Sequence, residues 1–238
     1  MIIIRLLHNL VLFLAIFFAF FLASFITFFF VPFYRDKHYP FQVAAKYWSK
    51  MIILLSGSQL KVSGLENIPK GALMIAANHQ GAADIPIVLG GLPVTFLFAI
   101  KKELFNIPIF GWYLKMAGYF PVNREMVLNA YKLVDKMVSL LKQGDRILIF
   151  PEGTRSRDGS LGNFKRGSLL AALKAEVPVL PVAISGSYNI LPKGAKLFSS
   201  AKVNLSVGKP VYFTNEAEYE AKLAEVRQSI ADMLKAPL

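Results

Sequence analysis

Leu10 to Val31 is a run of 22 residues without one charge, and it holds nine of the chain's 20 phenylalanines. As a helix it is roughly 33 Å long, close to the ~30 Å hydrocarbon thickness of a bilayer. A core helix in a chain of 238 residues is seldom apolar on every side, so this run is read as a membrane segment. A cleaved signal peptide fits less well, because the run is too long and only Arg5 precedes it. Arg35, Lys37, Lys46 and Lys50 follow it against a single Asp36, which by the positive-inside bias makes that side cytoplasmic.

Phe41 to Leu60 shows helical spacing at Val43, Tyr47, Met51, Leu54 and Leu55, with Tyr47 and Trp48 suited to the headgroup region. Two readings are open: a second helix lying in the interface, or a shallow hairpin of both helices in one leaflet. Residues 1–60 are thus expected to form an N-terminal hydrophobic two-helix membrane motif, and residues 61–238 a separate domain.

From Lys61 onward short apolar runs alternate with helical patterns. Strands are expected at Leu73–Ala77, Thr95–Ile100, Ile147–Phe150, Val179–Ile184 and Val203–Val207. Helices are expected over Met126–Leu141 and through Leu223, Val226, Ile230 and Met233, the latter after a cap at Thr214-Asn215-Glu216. This alternation predicts an α/β fold: a mixed, largely buried sheet flanked by helices.

The net charge of +12 calls for an anionic partner, and an anionic membrane surface suits the N-terminus best. No nucleic-acid-binding motif is present, so nucleic acid is not expected. The absence of Cys excludes disulfides, a thiolate nucleophile and Cys-ligated metals. His8, His38 and His79 are too scattered for a His-cluster metal site, and no metal or cofactor is expected.

Only His79 lies in a loop with a carboxylate nearby, in Asn78-His79-Gln80-Gly81-Ala82-Ala83-Asp84. This stretch joins the Leu73–Ala77 strand to a helix starting near Pro86. On a continuous helix residues five apart point about 140° away from each other. A bend at Gly81, which has no Cβ, folds Asp84 back toward the imidazole, holding one ring nitrogen as NH and leaving the other free as a base. The plainer alternative is that Asp84 is an N-cap.

A second motif, Phe150-Pro151-Glu152-Gly153-Thr154-Arg155-Ser156, directly follows a strand. Gly153, the hydroxyls of Thr154 and Ser156 and the Arg155 fork suit a phosphate monoester, whereas the alternative is a surface turn with a Glu152–Arg155 ion pair. Between Leu97 and Arg166 twelve Lys or Arg face six Asp or Glu, which favours the anion site. Lys101 to Trp112 reads equally as the lining of a lipid groove or as core. No GxSxG elbow, P-loop or dinucleotide fingerprint occurs, so a covalent acyl-enzyme is disfavoured and His79 would activate a hydroxyl of the substrate itself.

Four ordered blocks resemble the membrane-bound glycerophospholipid acyltransferases, and most of all the bacterial 1-acylglycerol-3-phosphate acyltransferases. Asn78-His79-x4-Asp84 is similar to the first block. Lys101-x-Glu103-Leu104 with Pro108, Gly111-Trp112, Gly118 and Arg124 is similar to the second. Phe150 to Ser156 resembles the third and Val177-Pro178-Val179-Leu180-Pro181-Val182 the fourth. One departure is Gly81, where the family commonly has Ser.

The resemblance implies His79 as catalytic base and Asp84 as its orienting partner. It implies Glu152, Gly153, Thr154 and Arg155 at the acceptor phosphate, helped by Lys101 and Arg124. The implied reaction moves a fatty acyl group from acyl-CoA or acyl carrier protein to the sn-2 hydroxyl of lysophosphatidic acid, giving phosphatidic acid for phospholipid biosynthesis. The implied place is the inner (cytoplasmic) membrane, with the catalytic domain facing the cytoplasm. Alternatives are another acceptor (glycerol 3-phosphate or another lysophospholipid), an acyl thioesterase, or a non-enzymatic lipid-binding protein.

Overall fold

The computed structural model describes residues 2–122, 127–195 and 197–236. The apolar run forms helix α1, Ile2–Phe30, followed after a tight turn by α2, Tyr39–Leu55, with Pro40 in its first turn. Two polar side chains of α1 are satisfied locally, the hydroxyls of Ser24 and Thr27 donating to the carbonyls of Phe20 and Ala23 one turn back, whereas Asn9 accepts from the Phe198 N–H and donates to the Phe198 carbonyl. Buried positions Asn9, Leu12, Phe20, Ser24 and Thr27 recur at intervals of three or four residues wherever α1 meets the protein, except across Leu12 to Phe20. In that gap the Ile16 carbonyl accepts from the Trp48 indole of α2.

The rest of α1 is exposed hydrocarbon, with Phe17, Phe18, Phe25 and Phe28 more than half exposed. Among the described residues, Asn9–Phe33 is the one helix long and apolar enough to cross a membrane.

Helix α2 differs from the sequence expectation in two ways. It ends at Leu55, and Gln59–Ser63 forms a strand, β1. Its inner face, with Phe41, Ala45 and Ile53, belongs to the main hydrophobic core, whereas Tyr47 and Leu54 face out. Two partly apolar helix faces read alike in sequence, and only packing tells core from lipid.

The remaining elements are β2 (Leu73–Ala77), α3 (Asp84–Gly91), β3 (Leu97–Lys101), α4 (Phe110–Met116), β4 (Phe120–Val122), α5 (Val127–Lys142), β5 (Arg146–Ile149), α6 (Leu170–Ala175), β6 (Val179–Ser185), β7 (Lys202–Val207) and α7 (Tyr219–Leu234). The strands make one seven-stranded sheet in the order β1-β7-β6-β2-β5-β3-β4. β6, β2, β5, β3 and β4 run parallel, whereas β7 is antiparallel to β6 and β1 is parallel to β7. The fold is therefore the expected mixed α/β arrangement.

Central β2 is buried at every position, as an unbroken apolar run in a covered parallel sheet should be. Edge strand β1 alternates exposed and half-buried residues, and edge strand β4 carries Pro121, which an edge tolerates because it lacks an N–H to donate. α2 packs on α3, and α3 also touches β1 and β7, while α5 and α6 pack together and α7 covers β6. Parallel β2, β5, β3 and β6 bring their carboxyl ends to one edge, where open α/β sheets place ligands.

Candidate active site

His79 follows the end of β2 and Asp84 opens α3, and the chain between them bends back on itself. Asp84 Oδ2 lies 2.6 Å from His79 Nδ1. The same oxygen accepts the backbone N–H groups of Gln80 at 2.7 Å and Gly81 at 2.9 Å. Asp84 is wholly buried, and its carboxylate turns back toward the preceding loop instead of capping its own helix. An oxygen that already accepts two amides serves as an acceptor, so the ring contact is an Nδ1–H donor, the tautomer that in the neutral imidazole leaves the lone pair on Nε2. The His79 ring stacks on Phe150 with centroids 3.9 Å apart and planes 14° off parallel, and its side chain is only 11 % exposed.

The bend requires Gly81. A Cβ there would stand 2.7 Å from the Leu191 carbonyl oxygen, a backbone atom that cannot swing away. The departure from Ser at this position thus matches the tight approach of residues 187–192 in this chain. Asn78 locks the base of the loop to β6, accepting from the Ile184 N–H and donating to the Ile184 carbonyl. Gln80 is held likewise, donating to the Gly159 carbonyl and accepting from the Ser187 hydroxyl.

The loop after β5 meets His79 from the other side. One Glu152 oxygen accepts the His79 N–H at 2.8 Å and the other accepts the Gly162 N–H at 2.9 Å. The Ser156 N–H donates to the His79 carbonyl at 2.7 Å. Both main-chain groups of His79 are therefore tied to the second motif. Burial pushes the Glu152 carboxyl above its ordinary range, partly opposed by these two amides. Glu152 takes part by holding loops together, with both oxygens turned to backbone.

Gly153 turns the chain at φ +71°, where a Cβ would also meet the stem of Lys165. Thr154 is exposed and Arg155 is half-buried. Arg155, Lys165 and Lys101 line the same cleft as His79, and Lys101 also lies 3.6 Å from Glu103. Arg124 lies outside the described residues. Phe150, Asn78, Gln80 and Gly162 support the site, a role not read from the sequence. Asn78 and Gln80 flank the histidine, but their partners are 79 to 107 residues away.

The cleft has a volume of about 1180 Å³. Its polar end carries His79 and the cations. Its walls beyond are apolar: Ile85, Phe98, Leu104, Phe110, Val134 and Leu148, reaching Phe20 and Trp48 of the two N-terminal helices. Lys101 to Trp112 is thus divided, with Leu104 and Phe110 lining the cleft and other side chains facing out. Such a cavity can hold a long hydrocarbon chain with its polar end at an imidazole base and a set of cations.

Residues 59–185 match the Acyltransferase family. A 1-acyl-sn-glycerol-3-phosphate acyltransferase of Bacillus subtilis is 34% identical over 191 residues, covering 78% of this chain and 91% of that protein. A chloroplast enzyme of the same name from Arabidopsis thaliana is 33% identical over 204 residues, covering 84% of this chain. This chain spans only 55% of that plant relative. The crystal structure of the 1-acyl-sn-glycerophosphate acyltransferase PlsC from Thermotoga maritima matches with a TM-score of 0.81 at 31% identity, covering 98% of this chain and 99% of that one. By family match, by identity over most of its length and by fold, this chain belongs to the Acyltransferase family.

Proposed function

We propose that this protein acylates the sn-2 hydroxyl of 1-acyl-sn-glycerol 3-phosphate with a fatty acyl group from acyl-CoA or acyl carrier protein, giving phosphatidic acid. The observation that carries the reading is one cleft lined by His79, itself backed by buried Asp84, with several cations and a long apolar wall. The curated relatives bear the name of this activity.

In this mechanism the acceptor hydroxyl donates its proton to His79 Nε2 while its oxygen attacks the thioester carbonyl. The new C–O bond closes a tetrahedral intermediate. The C–S bond then breaks, and the thiolate takes the proton from the imidazolium. Asp84 orients the ring through Nδ1–H and stabilises the transient imidazolium, as Phe150 fixes its plane. Arg155 and Lys101, with Arg124, hold the acceptor phosphate beside the Gly153–Thr154 turn, and Glu152 serves by positioning His79 and the turn.

Residues 1–60 supply the anchor, chiefly through α1, while the inner face of α2 and the start of β1 also complete the core of the catalytic part, residues 61–238. Helix α1 keeps the catalytic part on the cytoplasmic face of the cytoplasmic membrane, with Arg35, Lys37, Lys46 and Lys50 toward anionic headgroups. A lipid acceptor is then met in two dimensions.

The test is an assay of purified full-length protein in vesicles with labelled 1-acyl-sn-glycerol 3-phosphate, glycerol 3-phosphate and another lysophospholipid, each with both donors. Phosphatidic acid as the dominant product supports the proposal. Acylation of another acceptor instead, or fatty acid released at one rate with and without acceptor, overturns it.

A further inference from the structure

The segment between β3 and α4 folds half into the cleft and half away from it. Ile107 is 45%, Ile109 49% and Trp112 40% exposed, and none of the three lines the cleft. Scattered exposed apolar residues are ordinary on a soluble surface, but these three fall within six residues of sequence, and the last of them lies against another apolar surface. The Trp112 ring lies 6.4 Å from the Phe28 ring of α1, and Phe28 is itself 58% exposed. The patch therefore continues the bare hydrocarbon face of α1 onto the catalytic part of the chain.

The backbone holds the patch outward at a cost. Ile109 has φ +64°, and the Phe110 N–H donates to the Pro108 carbonyl across it, which makes a γ-turn of the rare, strained kind. A β-branched residue in that region is an outlier that persists only when its surroundings enforce it. They do: Gly111 packs so close to Phe105 that a Cβ would fall on its carbonyl oxygen, and the Gly111 N–H donates to the Ile107 carbonyl. The enforced turn thus lies in a segment that leaves Ile107, Ile109 and Trp112 exposed.

The surrounding charge selects the partner. Exposed Lys101 and Lys102 precede the patch and exposed Lys115 lies one turn after Trp112, against the single exposed carboxylate of Glu103 beside Lys101, so the rim carries a net positive charge. That is the composition of a segment seated at the boundary of hydrocarbon and anionic headgroups.

We propose that Ile107, Ile109 and Trp112 form a second membrane contact, in which the catalytic part itself dips into the bilayer beside α1. Because Leu104 and Phe110 of the same segment line the cleft, seating these residues sets the cleft mouth at headgroup depth. This rests on the reading of α1 as a membrane anchor, and the experiment separates the two.

The chain has two tryptophans, so Trp48→Phe leaves Trp112 as the only indole. Its fluorescence is recorded in anionic vesicles carrying bromine at a shallow or a deep acyl position. A parallel probe, Phe17→Trp with both native tryptophans changed to Phe, reports α1, whose Phe17 is 63% exposed. Quenching of Trp112 by shallow bromolipid, lost in Ile107→Asp/Ile109→Asp while the α1 probe stays quenched, is the expected result. An α1 probe that is quenched beside a Trp112 that is not overturns the second contact and leaves the anchor standing. If neither is quenched, the anchor reading and this inference both fall. Emission that shifts with protein concentration and ignores bromolipid assigns the patch to a protein partner and also overturns the proposal.

Discussion

Replacing Glu152 with glutamine asks whether this carboxylate serves backbone or substrate. Its oxygens accept one main-chain N–H each, from His79 at 2.8 Å and Gly162 at 2.9 Å. Glutamine keeps the shape but turns one acceptor into a donor, which faces a backbone N–H whichever way the amide is turned. One charge-assisted bond becomes neutral and the other becomes a donor–donor contact. At about 1.5–3 kcal/mol for a bond to a charged group and about 1 kcal/mol for a neutral one, the gross loss is about 2–5 kcal/mol. Relief of the buried charge offsets part of this, leaving about 2–3 kcal/mol.

For a chain of this length that lowers the melting temperature by roughly 4–12 °C. His79 hangs from the same bond, so kcat should fall about tenfold or more as the imidazole shifts. The assay pairs thermal unfolding in detergent micelles with kcat and acceptor KM. Acceptor KM should stay within about threefold, since the carboxylate is not assigned to the phosphate. Unchanged melting and kcat with only acceptor KM altered would refute the reasoning, because the carboxylate's partner would then be substrate.

Burial raises the Glu152 pKa above the ordinary 4.5, so the native state holds that proton more tightly than the unfolded chain. Its stabilising contribution is fully present below the unfolded value and lost as pH rises through the raised one, so wild-type stability relative to Glu152→Gln should fall across that window. A rise there in denaturant titrations at several pH values would contradict it. Gly81→Ala should lose about 1–3 kcal/mol in chemical denaturation, because its Cβ meets the Leu191 carbonyl oxygen. Equal stability would mean that the loop relaxes freely. Arg155→Ala should raise acceptor KM about tenfold or more with donor KM spared, and an equal loss for both substrates would speak against a phosphate role. Val11→Asp/Phe18→Asp on the exposed face of α1 should shift the protein from the membrane to the soluble fraction on flotation, and unchanged flotation would exclude that face as the anchor.

Long, strongly patterned stretches were legible in the chain. The apolar α1, buried β2, β6 and α7 announce themselves by composition and period, and Asn215 accepts from the Glu218 N–H just where a cap was expected. The His79–Asp84 meeting was legible too, because Gly81 permits the bend and few other polar residues stand nearby. Less visible were β1 and β4, one alternating half-polar residues at an edge and the other three residues long. The inner face of α2 was hidden because Phe41 looks the same whether it meets Trp112 and Tyr113 of α4 or lipid. The working partners of Glu152 could not be read from its motif: they are backbone amides 73 and 10 residues away, and backbone carries no sequence signature.

The central claim is that His79 takes the acceptor's proton. His79→Ala keeps both main-chain bonds to Glu152 and Ser156, so the variant should fold and bind lipid while losing only the imidazole. Measured at saturating lysophosphatidic acid and acyl donor, its kcat is expected to fall by about 10²–10⁴, with a cooperative melting transition that is lowered by loss of the Asp84 bond and the Phe150 stack. A folded His79→Ala protein that makes phosphatidic acid at near the wild-type rate would contradict the account.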